Sequence, residues 1–528
     1  MATSSRAAEF GLSSQQLDEL VKDSVVWANQ HGLVVALNSK EASVPELAVV
    51  HAPLSALPVS FPRERFLQAK AVMPLFNELV DAVARDERYL EATLESAARF
   101  DEFTARLLAL LRSSRAARLS RGSKDLVLGV HRSDYMLDAP SGGFLQVELN
   151  TIASSFGCLS SLITSLHRYT VGRGLGVAAS DLPDNPAIDQ IPAGIAAAAA
   201  ASDKPGGVVV MVVQPGERNA YDQQWIQLRL WEAHGLRTLR MTLADIATHA
   251  TVSPDGTLMV PSSSPPGTTP LPPSASTSPS TSTSKPPTAS PASPTPTTPT
   301  TPTTPPSPSP SPSAVPVSVV YFRAGYSPTD YPSEVEWKGR DVIESSDAAK
   351  CPSVAYQLAG SKKIQQALAL PGALERFLPV PGAAAQLSSF FAGLWGLDDL
   401  QDPDTAAIVS RAIADPDSYV LKPQREGGGN NMYGDELVAA LRAGEGLSAY
   451  ILMQKIRPPP VSGVLVRNGL WEEGEVLSEL GIYGVFLRQG QHVMLNAEAG
   501  HLVRTKRSDS NEGGVAAGFA VLDSPLLV

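Results

Sequence analysis

The chain has 528 residues, 43% of them hydrophobic and 18% charged, with a formal net charge of −11. That balance predicts two or three globular domains with a sizeable core. The acidic excess excludes a broad nucleic-acid or anionic-membrane surface, which needs clustered Lys and Arg.

The only cysteines, Cys158 and Cys351, supply neither a disulfide framework nor a structural zinc set, so a reducing, cytoplasmic home is expected. No run is long and apolar enough to cross a bilayer; the best, Ile191 to Ala201, is short and alanine-rich. From Ser13 the spacing of Leu17, Leu20, Val21, Val25, Trp27 and Ala28 predicts an amphipathic helix behind a serine cap. The transit-peptide-like start, Met1 to Arg6, therefore leaves little room for a cleaved presequence, and a plastid copy has no clear targeting signal behind it. Helical runs from Glu64 to Arg85 and from Arg88 to Arg112 complete a helical N-terminal layer, punctuated by Pro58 and Pro62.

Leu126 to Val130 and Phe144 to Glu148 read as strands joined by a turn at Asp138 to Gly143. The apolar run Gly207 to Val213, a helix from Tyr221 to His234 and a strand at Leu236 to Met241 alternate as a parallel α/β layer does. Between Pro261 and Pro316 the composition turns to Pro, Ser and Thr, with Lys285 the one charge. Such a segment cannot bury enough apolar surface to offset its ordering entropy, so disorder with some polyproline II is expected.

Gly256 to Val260 and Val317 to Phe322 look like the two strands of one hairpin, with the insert at its tip. Long insertions are tolerated there because loop closure costs only about 0.6 kcal/mol per doubling of length. A partner-binding role stays open beside the expected neutral expansion. Helices follow around Ala359 to Ala369 and Thr405 to Ile413, then strands at Ser418 to Lys422 and Tyr450 to Ile456, and a sheet-forming tail at Ser478 to Leu487.

The chemistry concentrates in Lys422-Pro-Gln-Arg-Glu-Gly-Gly-Gly-Asn-Asn431. Lys422 ends a strand, and Gly427, Gly428 and Gly429 offer backbone N–H groups that pack on a phosphate chain with no Cβ in the way. Gln424, Asn430 and Asn431 add neutral donors, and Glu426 can bridge to Mg²⁺, which shares carboxylate and phosphate oxygens. A flexible glycine hinge is the bland alternative. Glu148 and Asn150 alternate along a strand and face the same way, so they can share a hard cation or simply sit on a solvated sheet face. Arg132 to Tyr135 fits a helix cap as well as a carboxylate clamp, and Arg504 to Lys506 joins cations to the glycine turn at Gly513 to Gly518.

Together these clusters resemble the eukaryotic-type glutathione synthetases, ATP-grasp ligases. The resemblance runs from Leu17 to the C-terminus outside the Pro261 to Pro316 insert. It rests on Arg132-Ser-Asp-Tyr135, Glu148-Leu-Asn-Thr-Ile152, Ser155-Phe-Gly157, Glu217-Arg-Asn219, Val320-Tyr-Phe-Arg323 and Ala348-Ala-Lys-Cys-Pro352. Gln357 to Gly360 with Lys362, the loop at Lys422, Ser478-Glu-Leu-Gly-Ile482, and Arg504-Thr-Lys506 with Gly513-Gly-Val-Ala-Ala517 complete it.

The resemblance implies an α/β (α+β) fold: an ATP-grasp core with an inserted α/β substrate-binding domain and a helical N-terminal layer. Its divisions would be 1–206, 207–358 and 359–528. It also implies a homodimer with a lid, no nucleic-acid or membrane partner, and ligation of γ-glutamylcysteine to glycine with ATP, through an acyl phosphate. Lys362 and Lys422 would contact phosphates, and Glu148, Asn150 and Glu426 would hold Mg²⁺, a pair of ions per site. Asn431, Tyr433, Met453, Gln454, Lys455, Ile456, Glu479, Lys506 and Glu512 would line the rest of the ATP site. Arg132, Ser155, Glu217, Arg218, Asn219, Gln223, Arg323 and Tyr326 would hold the dipeptide, with Arg504, Val515 and Ala516 near the reacting carboxylate and glycine.

The chain departs from the family pattern at Ala153, Ala324, Gln454 and Glu512. Small Ala516 and Ala517 match the glycine-using form; a homoglutathione-type ligase taking β-alanine and a catalytically inactive ATP-binding regulator are the competing readings.

Overall fold

The computed structural model describes residues 5–37, 48–215, 217, 219–263, 314–425, 430–510, 514–515 and 518–528. Helix Ser14–Gln30 begins where expected, because the Ser13 hydroxyl accepts from the Gln16 N–H and the Gln16 side chain accepts from the Ser13 N–H. Helix Arg63–Arg85 also follows the sequence pattern. The run expected from Arg88 to Arg112 is instead two helices, Glu87–Ala98 and Glu102–Ser113. The break has a local cause: the Asp101 carboxylate accepts from the Thr104 N–H at 2.9 Å and caps a new start.

A mixed sheet of 13 strands organises the chain. Thr238–Met241, Val208–Val212, Ala314–Phe322, Ala349–Cys351 and Leu126–Asp138 lie parallel in that order. Val208, Val210 and Val212 pack into one core and Val209, Met211 and Val213 into another, so a strand buried on both faces reads as a continuous apolar run. The expected strand at Gly207 to Val213 is thereby explained.

Past Leu126–Asp138 the sheet turns antiparallel through Leu470–Gln489, His492–Arg507 and Ala520–Asp523. It continues through Leu54–Ser55 to Val461–Arg467, which pairs back onto the first half of Leu470–Gln489. The expected tail strand at Ser478 to Leu487 is one part of this 20-residue strand.

Separate from the main sheet, Leu394–Gly396, Tyr450–Gln454 and Tyr419–Pro423 form a small antiparallel sheet. Leu421 and Leu452 join Ile408 and Leu437 from helices Pro403–Ala414 and Gly434–Ala443 in its own core. Val420 and Met453, on the other face, pack against Leu145 of strand Gly143–Asn150. Because side chains alternate, Lys422 shares the face of Val420 and is aimed at the main sheet.

The hairpin expected around the insert is present: Met259, Val260 and Pro261 pair antiparallel with Pro316, Val315 and Ala314. The ladder therefore reaches past the expected insert boundaries at Pro261 and Pro316, since backbone pairing does not require the apolar side chains that marked the strands in the sequence. Residues 264–313, most of the Pro/Ser/Thr-rich stretch, lie outside the described residues. No described helix is long and apolar enough to cross a membrane.

Candidate active site

The site grows from the hairpin of Leu126–Asp138 and Gly143–Asn150, in which Arg132 stands opposite Asn150 and Asp134 opposite Glu148. Strand periodicity puts all four on one face. The neighbouring pair Glu479 and Arg504 comes from Leu470–Gln489 and His492–Arg507. Between this face and the small sheet lies a cavity of about 900 Å³.

Arginines line one end. Arg132 gives Nε and Nη2 to the two oxygens of buried Asp134 at 2.7 and 2.8 Å, and Arg504 Nη2 reaches the same acid at 3.1 Å as well as Glu479. Arg323 Nη1 donates to Asp222 at 3.0 Å. Asp222 also accepts from the Phe156 and Cys158 N–H groups at 2.9 and 3.1 Å, pinning the entry to helix Gly157–Thr170. Ala153 and Phe156 in that entry have positive φ, 51° and 70°, conformations that persist only where the surroundings impose them. The Ser155 carbonyl accepts from Tyr483 Oη at 2.6 Å and from Arg132 Nη1 at 3.3 Å. Two buried polar atoms at this end, Asn219 Oδ1 and Arg323 Nε, have no hydrogen-bond partner among the described residues. A bound polar ligand would satisfy them.

Lysines mark the other end. Lys422 Nζ donates to the Val147 carbonyl at 3.1 Å; Lys362 Nζ donates to the Arg425 carbonyl at 2.5 Å and lies 3.7 Å from Glu148. Burial pushes the Glu148 carboxyl up, but Lys362, Lys422, Arg504 and Arg132 together pull it down to about 2. Asn150 gives its amide nitrogen to Asp134 at 3.0 Å, leaving its side-chain oxygen to accept. A carboxylate and an amide oxygen suit Mg²⁺, which is held by one or two protein groups plus phosphate oxygens. No described cluster of three His, Cys, Asp or Glu offers an all-protein metal cage.

A family model for the ATP-binding domain of eukaryotic glutathione synthase matches residues 14–527. The chain belongs to the eukaryotic glutathione synthase family. Among its relatives, the chloroplastic glutathione synthetases of Solanum lycopersicum and Arabidopsis thaliana are 42% and 41% identical. Each match covers 98% of this chain, with 85% of the tomato and 86% of the Arabidopsis protein. The Homo sapiens glutathione synthetase is 37% identical, with 97% of both chains covered. A glutathione synthetase-like effector from Globodera pallida, in its apo form, has the same fold, with a TM-score of 0.70 over 100% of both chains at 19% identity. The chain is an ATP-dependent ligase of glutathione biosynthesis.

Against the glutathione synthase pattern, the cavity wall brings together most of the expected residues. Arg132, Ser155, Glu217, Asn219, Arg323, Tyr326, Arg504 and Val515 line the arginine end. Lys422, Asn431, Tyr433, Met453, Gln454, Lys455, Ile456, Glu479 and Lys506 line the rest, with Glu148 and Asn150 between. Two expected residues stand behind the wall: Gln223 is buried and donates to Glu217 at 2.9 Å, and Lys362 reaches in from helix Lys362–Leu368. Asn430 is exposed and lines no part of the cavity. Arg218, Glu426, Gly427, Gly428, Gly429, Glu512 and Ala516 lie outside the described residues.

Four buried participants escaped the sequence reading. Asp134 was visible as the alternate residue to Arg132; Asp222, Arg240, which donates to Gln223 at 2.6 Å, and Tyr483 carried no local signal.

Proposed function

We propose that the arginine end binds γ-glutamylcysteine and the lysine end binds the ATP phosphates, so that the dipeptide carboxylate meets the γ-phosphoryl group beside Glu148. The observation that carries this reading is the cavity itself, with Arg132, Arg323 and Arg504 at one end and Lys422 at the other. Guanidinium forks suit carboxylates, and ammonium groups suit a polyphosphate as point charges.

A carboxylate is a poor acylating agent. Its oxygen first attacks the γ-phosphorus: the new O–P bond forms as the bond to the ADP oxygen breaks, giving an acyl phosphate. The glycine amine then attacks the acyl carbon, a C–N bond forms, inorganic phosphate departs, and the amine proton passes to phosphate or solvent. Two anions must meet in the first step, so the chain contributes mainly position and positive charge. Lys362 and Lys422 offset the phosphate charge, and Arg132 with Arg504 aims the carboxylate. Glu148, Asn150 and Glu426 would hold Mg²⁺, which would supply further positive charge against the phosphates. Asn431, Tyr433, Met453 to Ile456, Glu479, Lys506 and Glu512 would complete the ATP site, and Ser155, Glu217, Arg218, Asn219, Gln223 and Tyr326 the dipeptide site, with Val515 and Ala516 at the glycine.

The division into 1–206, 207–358 and 359–528, a homodimer and a cytoplasmic location belong to the same proposal. Light scattering on the purified chain and imaging of the full-length tagged protein test the last two; a plastid signal would match the chloroplastic names of the plant relatives.

The deciding experiment is a coupled ADP assay. ADP release is expected to need γ-glutamylcysteine, glycine and Mg²⁺ together, and to collapse in Glu148→Gln. Turnover that prefers β-alanine to glycine, or proceeds without the dipeptide, would refute the substrate assignment.

A further inference from the structure

Asp134 lines no part of the cavity, yet three residues that do line it converge on its carboxylate. Its side chain is fully buried, with 0% exposure. Oδ1 accepts from Arg132 Nε at 2.7 Å, and Oδ2 accepts from Arg132 Nη2 at 2.8 Å, Asn150 Nδ2 at 3.0 Å and Arg504 Nη2 at 3.1 Å. The donors come from three strands, Leu126–Asp138, Gly143–Asn150 and His492–Arg507. A guanidinium gripped along one edge loses its choice of plane, so its remaining N–H groups point one way.

A second observation is independent of these bonds. Gly481 stands opposite Asp134 in the ladder, and a Cβ there would come within 2.5 Å of Asp134 Oδ1 and 2.8 Å of Arg132 Cδ. Its φ is not positive, so space and not backbone conformation calls for glycine. The glycine of Ser478-Glu-Leu-Gly-Ile482 thus makes room for the acid and its arginine.

We propose that Asp134 is the positioning residue of the reacting end: one buried carboxylate sets the direction of Arg132 and, together with Glu479, that of Arg504, and Gly481 is glycine to admit it. This rests on the ligase reading above. Attraction of an anionic substrate does not need Asp134, because removing its charge leaves the two arginines more positive. Alignment for phosphoryl transfer does need it. The signature is therefore a loss in kcat without a matching rise in KM, which a residue that only holds the fold together would not give.

The test is steady-state kinetics on the full chain, with ATP affinity measured calorimetrically in parallel. Wild-type turnover on γ-glutamylcysteine and glycine comes first; its absence would overturn the ligase reading and, with it, a positioning role in that reaction. In Asp134→Asn, kcat is expected to fall about 100-fold, the penalty for a misplacement of about 1 Å, with ATP affinity unchanged. The KM for γ-glutamylcysteine should stay within about threefold of wild type or fall. Gly481→Ala keeps both charges but crowds the pair, and should lower kcat about tenfold with the same KM pattern. Three results would each overturn the proposal, the first by showing Asp134 dispensable and the other two by showing it merely structural. They are an Asp134→Asn kcat within about threefold of wild type, kcat and ATP affinity falling together, and loss of the folded state in both variants.

Discussion

The two ends of the cavity meet charge in opposite ways. At the arginine end the cations come with buried acids of the chain itself: Arg132 and Arg504 with Asp134, Arg323 with Asp222 at 3.0 Å. At the lysine end Lys422 and Lys362 reach backbone carbonyls, of Val147 and Arg425, and bear on Glu148. The first arrangement fixes direction, which a planar carboxylate requires; the second supplies charge, which a flexible polyphosphate requires. The scaffolds differ to match. Arg132 and Arg504 stand on strands of the 13-stranded sheet and Arg323 directly past the end of one, whereas Lys422 stands on the small sheet that packs against it through Val420, Met453 and Leu145.

That contrast is easiest to break at the lysine end. Lys422→Met removes charge and keeps much of the shape, so kcat is expected to fall about 10³-fold, as when an electrostatic stabiliser of a developing charge is lost. γ-Glutamylcysteine binding, measured by calorimetry without nucleotide, should be unchanged; a parallel loss of dipeptide affinity would show that the two ends are not separate. Arg323→Lys is the reciprocal change. It keeps the charge but loses the fork, and leaves Asp222 with a weaker partner, so kcat/KM for the dipeptide should drop about 100-fold while ATP affinity holds.

Acid should separate the two scaffolds. His131 and His501 on the main sheet and His167 in the helix packed on it are buried, and burial holds them down to about 3, 3 and 4 respectively. The small-sheet segment 394–454 contains no histidine. Below the ordinary histidine value of about 6.5 the unfolded chain takes up protons that the folded chain refuses, so stability present above that pH is lost as pH falls toward the folded values. Each histidine contributes about 1.4 kcal/mol per pH unit in that window. Hydrogen exchange at pH 7 and pH 5 should show protection falling across Leu126–Asp138 and His492–Arg507 more than in Tyr419–Pro423. Equal loss in both would place the acid sensitivity elsewhere.

The same contrast explains what the sequence could and could not reveal. Lys422, Glu148 and Asn150 were legible because each sits within a short pattern: a strand ending in a glycine run, or two ligands two residues apart. Val208 to Val212 was legible as a strand because both its faces are buried. Asp222 was not, since the N–H groups it caps are more than sixty residues away in sequence and nothing beside it marks an ion pair with Arg323. The split at Asp101 was missed because helical periodicity on its two sides outweighed a single capping carboxylate. Asp134 lay in plain view in Arg132-Ser-Asp-Tyr135, but its meaning depends on Arg504 and Gly481, which only the sheet order brings beside it.

The smallest expected effect concerns the stretch 264–313, and it tests whether either end of the cavity depends on it. Pro261 and Ala314 are register partners in an antiparallel ladder, so the chain can be closed between Ser263 and Ala314 by a short glycine-containing turn without moving either strand. The strand Ala314–Phe322 leads directly to Arg323, which makes this a covalent route by which the insert could disturb the arginine end. Replacing a connection of roughly fifty residues by about four removes between three and four doublings of loop length, and should raise stability by up to about 2 kcal/mol. If the ladder alone sets Arg323, kcat and the KM values for γ-glutamylcysteine, glycine and ATP should stay within about twofold of wild type. A selective rise in the dipeptide KM, with ATP unaffected, would mean that the insert acts on the arginine end through that strand, and the expectation of a neutral expansion would have to be given up.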